Sequence, residues 1–330
     1  MPAPDRPDEF SLIEKLFAPL AAGAPGALGL TDDAAVFAPT PGMETVLTVD
    51  AIVEGIHFLP GDPAGNVARK LLRVNLSDLA AKGATPRGYL LVTSWRPDTP
   101  LSWMEAFAEG LRLDQAEFGL SLWGGDTVSA PGPLSFSLTA IGEVPSGRMI
   151  RRGGARPGDA LYLTGTVGDG ALGLLAARGE LGFLEEAESA ALVQRYRLPE
   201  PRLGVGLRLG ELAHAALDVS DGLMADLGHM CAVSGVGARV EVARLPLSAA
   251  ARRVLEARPG LIEAVLGGGD DYELLFAASP EAAGEIAEIA ASAQVPVTRI
   301  GEIRPAGEGI AAVDVHGQKL SLKRAGFRHF

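Results

Sequence analysis

The feature that most limits the fold of this chain is a recurrent one. Acidic residues stand at the ends of short apolar runs or in glycine-rich turns, in both halves of the sequence. They fall at Thr31-Asp32-Asp33, Thr48-Val49-Asp50, Asn75-Leu76-Ser77-Asp78, Gly124-Gly125-Asp126-Thr127, Asp218-Val219-Ser220-Asp221-Gly222 and Gly267-Gly268-Gly269-Asp270-Asp271-Tyr272-Glu273. Runs of strand length alternate with runs of helical period on both sides of these turns, which points to mixed sheets packed with helices. The expected class is α/β (α+β).

Strand patterns cover 45–49, 88–95, 120–123 and 134–144, then 160–167, 215–219, 238–243, 272–277, 297–303 and 310–315. Helical patterns cover 11–20, 63–82, a helix opened at Ser102 by a capping box with Glu105 and running to Phe118, 168–178, 187–197, 201–214, 220–233, 248–257 and 281–293. Gly83 stops the second helix as a C′ glycine. The stretch 145–157 is rich in glycine and carries Arg148, Arg151 and Arg152, as a linker would. Two domains are therefore expected, 1–147 and 148–330, which suits 330 residues.

Hydrophobic residues make up 47% of the chain, enough for two cores, and the net charge of −12 argues against nucleic acid or anionic membrane as partner. No apolar stretch reaches the ~18 residues of a membrane span. The first ten residues lack the basic and apolar regions of a signal peptide, and 1–9 are expected to fray. One cysteine, Cys231, excludes an internal disulfide and fits a reducing, cytoplasmic setting; it reads as a small core residue.

Hard cations such as Mg²⁺ need oxygen ligands and share carboxylates with substrate phosphates, so this set of acidic turns suits several ions. Nearby glycines let backbone amides approach a phosphate. Aspartate and glycine are also ordinary turn residues, and Ser220 and Asp221 serve equally well as caps of the following helix. The run Gly168-Asp169-Gly170-Ala171-Leu172-Gly173 matches the dinucleotide fingerprint, but helices follow where a βαβ unit needs a strand, so it reads as a tight strand–helix turn. A P-loop, a protein-kinase catalytic loop, a serine nucleophile elbow and zinc spacing among the five histidines are all absent.

Taken in order, Asp50-Ala51-Ile52-Val53-Glu54-Gly55-Ile56-His57-Phe58, Asn75-Leu76-Ser77-Asp78-Leu79-Ala80-Ala81, Gly124-Gly125-Asp126-Thr127, Asp218-Val219-Ser220-Asp221-Gly222-Leu223, Gly269-Asp270-Asp271-Tyr272-Glu273-Leu274 and Gly326-Phe327-Arg328-His329-Phe330 resemble the thiamine-monophosphate kinases. These belong to the aminoimidazole-ribonucleotide synthetase-like superfamily. The resemblance runs from about Phe10 to the C-terminus. It implies the two-domain fold of that superfamily and Mg²⁺-dependent transfer of the γ-phosphoryl group of ATP to thiamine monophosphate, the last step of thiamine diphosphate biosynthesis. It further implies Asp33, Thr48, Asp50, Asp78, Asp126, Asp218 and Asp221 as metal ligands. Gly125, Asp126, Arg152 and Ser220 are implied as ATP contacts, and His57, Asp270 and Phe327 as substrate contacts. A homodimer paired through the N-terminal domains is implied as well.

Three positions depart from the family pattern. Thr31 replaces a common glycine, Val49 a common hydroxyl residue, and Asp270 a common glutamate. Three other functions compete. A selenophosphate synthetase carries a reactive Cys or Sec near its N-terminus, and here no cysteine precedes Cys231; the motifs fit an aminoimidazole-ribonucleotide synthetase less well. A non-catalytic nucleotide-binding protein seldom needs so many metal-type aspartates.

Overall fold

The structure, a computed structural model, describes residues 7–322 and 326–327. Contacts divide the chain into two compact units, Met1–Leu79 with Ala84–Gly147, and Ala80–Gly83 with Arg148–Phe330.

In the first unit, Asp8 caps a short helix, α1 (Glu9–Leu12), by accepting from the Ser11 amide at 3.0 Å. The helical path continues as a π turn (Ile13–Phe17) and a 3₁₀ turn (Ala18–Ala21). β1 (Met43–Val53), α2 (Ala64–Ala81), β2 (Thr85–Trp95), α3 (Leu101–Phe118), β3 (Ser121–Ser129) and β4 (Ser135–Pro145) follow. The sheet order is β1-β4-β2-β3; only the β2–β3 pair is parallel. Leu71, Leu72, Leu76 and Leu79 of α2 and Met104, Phe107 and Leu111 of α3 share one core with Tyr89, Leu91, Leu138 and Ala140 of the sheet. Asp114 of α3, fully buried, takes Arg73 through both oxygens (2.7 and 3.0 Å) and Arg69 at 2.7 Å, which ties α3 to α2. Removing one partner of such a buried pair costs about 3–5 kcal/mol.

The other face of this sheet carries an apolar surface. Leu47 and Val49 are 64% and 61% exposed, and Leu90, Val92 and Val128 lie 40–44% exposed on the same side.

The second unit contains β5 (Ala160–Thr164), α4 (Asp169–Ala177), α5 (Glu186–Arg197), α6 (Leu203–Leu209), β6 (Ala213–Asp218), α7 (Leu223–Ser234), β7 (Val236–Glu241), α8 (Ala249–Ala257), α9 (Ile262–Gly267), β8 (Leu274–Ala278), α10 (Ala283–Ala293), β9 (Val297–Pro305) and β10 (Ile310–Val313). The sheet order is β10-β7-β9-β5-β8-β6, antiparallel except for β10–β7. β5 and β8 are apolar without alternation because both faces are covered. Leu161, Leu163, Leu275 and Ala277 enter a core with α4, α5, α7, α8 and α9; Ala160, Tyr162, Phe276 and Ala278 enter another with α6 and α10.

Several sequence expectations are corrected. Helix α3 starts after Pro100 with no side-chain cap, and Ser102 lies inside it, because Pro100 sets the extended entry by itself. The expected helix 201–214 ends at Leu209, and His214 belongs to β6, where its Nδ1 meets Asp159 at 2.9 Å. The expected strand 120–123 runs on through Ser129: parallel pairing with β2 carries Gly124-Gly125-Asp126-Thr127 onto β3. Ser220–Gly222 is a turn, since α7 begins only at Leu223. Helix α9 was masked in the sequence by the glycines that follow it. Of the expected C-terminal motif, Arg328, His329 and Phe330 lie outside the described residues.

Candidate active site

In the first unit, the two-residue period of β1 puts Thr48 and Asp50 on the helix-covered side of the sheet, with Val46 and Ile52. Asp78 of α2 meets them there: the Thr48 hydroxyl donates to Asp78 Oδ2 at 2.5 Å. Asn75, one turn earlier and fully buried, accepts from the Asp50 amide at 3.1 Å and donates to Leu71 O at 2.9 Å, which ties the strand to the helix. Carboxylates and a hydroxyl are the donor set a hard divalent cation takes. Val49 points to the open face, so its missing hydroxyl is not lost from the Thr48–Asp50–Asp78 group.

Asp126 stands elsewhere. It pairs with Val92 on β3, exposed, while its neighbour Thr127 faces the core and accepts from Thr93 Oγ1 at 2.8 Å and Trp95 Nε1 at 2.9 Å. The fold thus separates Asp126 from Asp50 by three strand spacings, about 14 Å, and sets the two on opposite faces. Gly125 lies opposite Leu91 in the same ladder. A cavity of about 490 Å³ opens beside Asp126–Ser129, walled by Pro97, by Leu12, and by Pro7 and Glu9 from the stretch 1–9 that is expected from sequence to fray.

Asp33 is exposed in the irregular segment before β1. Glu143 anchors the end of that segment: it accepts from the Thr40 amide (2.7 Å), the Thr40 hydroxyl (2.8 Å) and Arg87 Nε (2.7 Å). Burial pushes the Glu143 carboxyl up, and these hydrogen bonds outweigh it and hold the group below its ordinary range. Thr31 has φ −105°, outside the left-handed region that favours glycine, so its backbone does not require glycine there. His57 sits in the turn after β1, where Nδ1 accepts from the Val53 amide at 3.1 Å and its carbonyl accepts from the Lys70 ammonium at 3.0 Å.

In the second unit, three chain segments meet backbone to backbone. Asp218 ends β6 and is nearly buried. Beyond it Val219 donates to Glu273 O at 2.9 Å, Tyr272 donates to Val219 O at 2.8 Å, and Asp270 donates to Ser220 O at 2.9 Å. Phe327 donates to Asp221 O at 2.9 Å. So Asp218, Ser220, Asp221, Asp270 and Phe327 are gathered by main-chain bonds. Gly269 (φ 73°) admits this approach, since a Cβ there would stand 2.3 Å from Ser220 O. Asp270 (φ 65°) and Tyr272 (φ 52°) are left-handed too. Aspartate tolerates that region better than glutamate, a backbone reason for Asp270 in place of the family's residue.

Two buried aspartates hold these turns. Asp226 Oδ2 accepts from the amides of Ser220, Asp221 and Gly222 at 3.0, 3.0 and 3.1 Å. Asp271 accepts from the Gly168 and Gly170 amides at 2.8 and 3.0 Å, so those amides of the fingerprint-like run serve a side-chain carboxyl group of the protein. Burial raises Asp226 to about 7, with the Asp221 charge adding to it, and raises Asp271 to about 8. Glu273, fully buried, is paired with Arg202 (2.5 and 2.6 Å) and Arg195 (2.9 Å). Asp221, Asp226 and His229 offer ligand atoms within 4.8 Å of one another. Arg152 follows Arg151, whose carbonyl accepts from Ala216 at 2.9 Å, so it is tethered alongside β6 two residues before Asp218. Cys231 is buried in the core and its thiol is pushed up to about 11.

Sequence reading missed Asn75, Glu143, Asp226 and Asp271 as supports. For Asp226 the signal was an acid in the first turn of a helix that follows a glycine; the others are acids or amides with no local pattern to mark their burial.

Comparison with known proteins gives the family of both domains. Residues 31–144 match the AIR synthase related protein N-terminal domain, and 156–314 match the C-terminal domain of the same family. The thiamine-monophosphate kinase of Caulobacter vibrioides is 46% identical over 99% of this chain and 92% of its own. The crystal structure of thiamine-monophosphate kinase from Stenotrophomonas maltophilia K279a superposes with a TM-score of 0.80 at 41% identity, covering 88% of this chain and 91% of that one. A structure described as AaThiL complexed with AMPPCP and TMP matches at 29% identity and a TM-score of 0.78, over 98% and 97% of the two chains. On identity sustained across both domains, this chain belongs to the thiamine-monophosphate kinase family of AIR synthase-related proteins.

Proposed function

We infer that this chain transfers the γ-phosphoryl group of ATP to thiamine monophosphate, giving thiamine diphosphate and ADP. The observation that carries this reading is the 46% identity to a thiamine-monophosphate kinase over 99% of the chain. A terminal phosphate oxygen of thiamine monophosphate attacks the γ-phosphorus in line as the bond to the β,γ-bridging oxygen breaks and ADP leaves. That phosphate is already largely ionised near neutral pH, so no general base is assigned.

Asp33, Thr48, Asp50, Asp78 and Asp126 are the metal ligands of the first unit, and Asp218 and Asp221 those of the second. Mg²⁺ held by such groups offsets the repulsion between two anionic reactants. Gly125, Asp126, Arg152 and Ser220 contact ATP, Arg152 as a fixed cation on its phosphates. His57 and Asp270 contact thiamine monophosphate. Phe327 packs on the cationic thiamine ring, a contact of roughly 0.5–2 kcal/mol.

The two functional domains are 1–147 and 148–330. The open apolar face of the first sheet, Leu47, Val49, Leu90 and Val92, supports a homodimer paired through this unit. A reducing, cytoplasmic setting is supported by the single buried cysteine. Among the described residues no helix is long and apolar enough to cross a membrane, and the charge of −12 disfavours nucleic acid. Purified protein with ATP, Mg²⁺ and thiamine monophosphate is expected to yield thiamine diphosphate on chromatography, and omission of Mg²⁺ to abolish it. ATP consumed without thiamine diphosphate would reject the reading.

A further inference from the structure

The residues assigned to substrate and metal in the second unit do not hold themselves in place. The turn Ser220–Gly222 is held by the side chain of Asp226, which gathers three consecutive amides on a single oxygen. Three amides converging on one carboxylate oxygen form a concave anion nest whose anion is supplied by the protein. The turn in turn supports the others. Asp270 hangs from Ser220 O and Phe327 from Asp221 O, each at 2.9 Å. Glycines line these junctions: a Cβ on Gly222 would stand 2.8 Å from Gly267 Cα, and one on Gly326 2.8 Å from Asp221 O. The segments therefore contact one another without side chains between them, and a shift of the turn passes directly to both substrate residues.

We propose that Asp226 is a positioning residue for the phosphoryl transfer: by holding the Ser220–Gly222 turn it sets the geometry of Asp270 and Phe327 as well as that of Asp221. This rests on the thiamine monophosphate kinase reading. Asp226 touches no reacting atom in this account. It acts through the main chain, and its effect falls on thiamine monophosphate binding. Its Oδ2 already accepts three amides, so that oxygen is committed to the turn.

The test uses the full chain and two variants. Asp226→Ala removes the acceptor; Asp226→Asn keeps one carbonyl oxygen in its place. In Asp226→Ala the KM for thiamine monophosphate is expected to rise about 10-fold or more. It should stay raised when Mg²⁺ is increased until the rate no longer responds. Asp226→Asn is expected to stay within about 3-fold of the parent. Residue-resolved hydrogen exchange should show the amides of Ser220, Asp221, Gly222, Asp270 and Phe327 losing protection together in Asp226→Ala. If that variant does not fold, Asp226→Asn decides alone, with a KM rise of about 2–3-fold and the same five amides partly deprotected. A KM restored by excess Mg²⁺ would make Asp226 a metal ligand and overturn the proposal. So would a lowered melting temperature with unchanged KM and unchanged exchange at Asp270 and Phe327. Failure of the parent itself to form thiamine diphosphate would reject the kinase reading separately, and the exchange experiment would still report whether Asp226 holds the turn.

Discussion

The first unit mounts most of its proposed ligands on regular structure, Thr48 and Asp50 on a strand, Asp78 on a helix and Asp126 on another strand, with Asp33 in an irregular segment. The second unit mounts Asp221 and Asp270 on turns, one of them with two left-handed non-glycine residues, Asp270 and Tyr272. Strand period and helix rise fix the direction of a side chain at no added cost. A turn has no such ladder and needs partners for its amides. Accordingly the second unit buries two further aspartates, Asp226 and Asp271, whose oxygens accept from turn amides. The difference leads us to expect that the proposed ligands on ladders can be replaced with little harm to the fold, whereas replacing the supports of those on turns destabilises it.

The largest effect expected is catalytic. Asp78→Asn and Asp126→Asn should each lower kcat by about 10²-fold or more, the magnitude of losing one electrostatic element, with melting temperature unchanged. Parent-like turnover in a folded variant would remove that residue from the proposed metal ligands, and a large loss of melting temperature would break the comparison from the other side.

Next comes Asp271→Ala, which leaves two buried amides without an acceptor. It should cost about 2–3 kcal/mol of unfolding free energy, read from urea denaturation, where Asp78→Ala should cost under ~1 kcal/mol. If the two variants lose equal stability, turns and ladders do not differ in the way described. The pH dependence sharpens the point. The folded Asp271 carboxyl lies at about 8, above its ordinary 3.8, so the folded state holds a proton that the unfolded chain releases. Its contribution is fully present below pH 3.8 and is lost as pH rises through about 8. Urea midpoints should therefore fall between pH 6 and 8 in the parent, and fall less in Asp271→Ala; equal slopes would show that Asp271 titrates normally.

A smaller effect belongs to Asp270. Asp270→Ala should raise the KM for thiamine monophosphate by about 5–10-fold, in the range of one charged hydrogen bond, while the KM for ATP moves by less than ~2-fold. Asp270→Glu should keep substantial turnover and lose up to ~1 kcal/mol to the left-handed backbone. A drop in stability with both KM values unchanged would reduce Asp270 to a turn residue. Smallest of all, Leu47→Arg should leave the unit folded and convert a homodimer to monomer in light scattering, with a change in melting temperature of a few degrees at most. A parent that is already monomeric at micromolar concentration would break that expectation alone.

Much of the layout was legible because it is local. Apolar runs such as Ala160–Thr164 and Leu274–Ala278 have one reading as covered strands, and Gly83 ends its helix by its own conformation (φ 68°). The acidic turns were visible as motifs for the same reason. What could not be read is what depends on partners distant in sequence. The extension of β3 through Asp126 depends on pairing with β2, and the face on which Asp126 stands depends on the bulge between Tyr89 and Leu90. Pro100 takes the N-cap position in place of the capping box expected of Ser102 and Glu105. Asp271 looked like one more acid in a glycine-rich turn, and only the arrival of Gly168 and Gly170 more than a hundred positions away makes it a support.

Cys231 has a practical consequence of its own. Its thiol is buried and raised to about 11, so at neutral pH almost none of it is thiolate and maleimide or haloacetamide reagents have little to attack. The chain has no other cysteine. A single engineered cysteine at an exposed position, Val315 for instance, would therefore take a fluorophore or spin label selectively in the otherwise unaltered sequence.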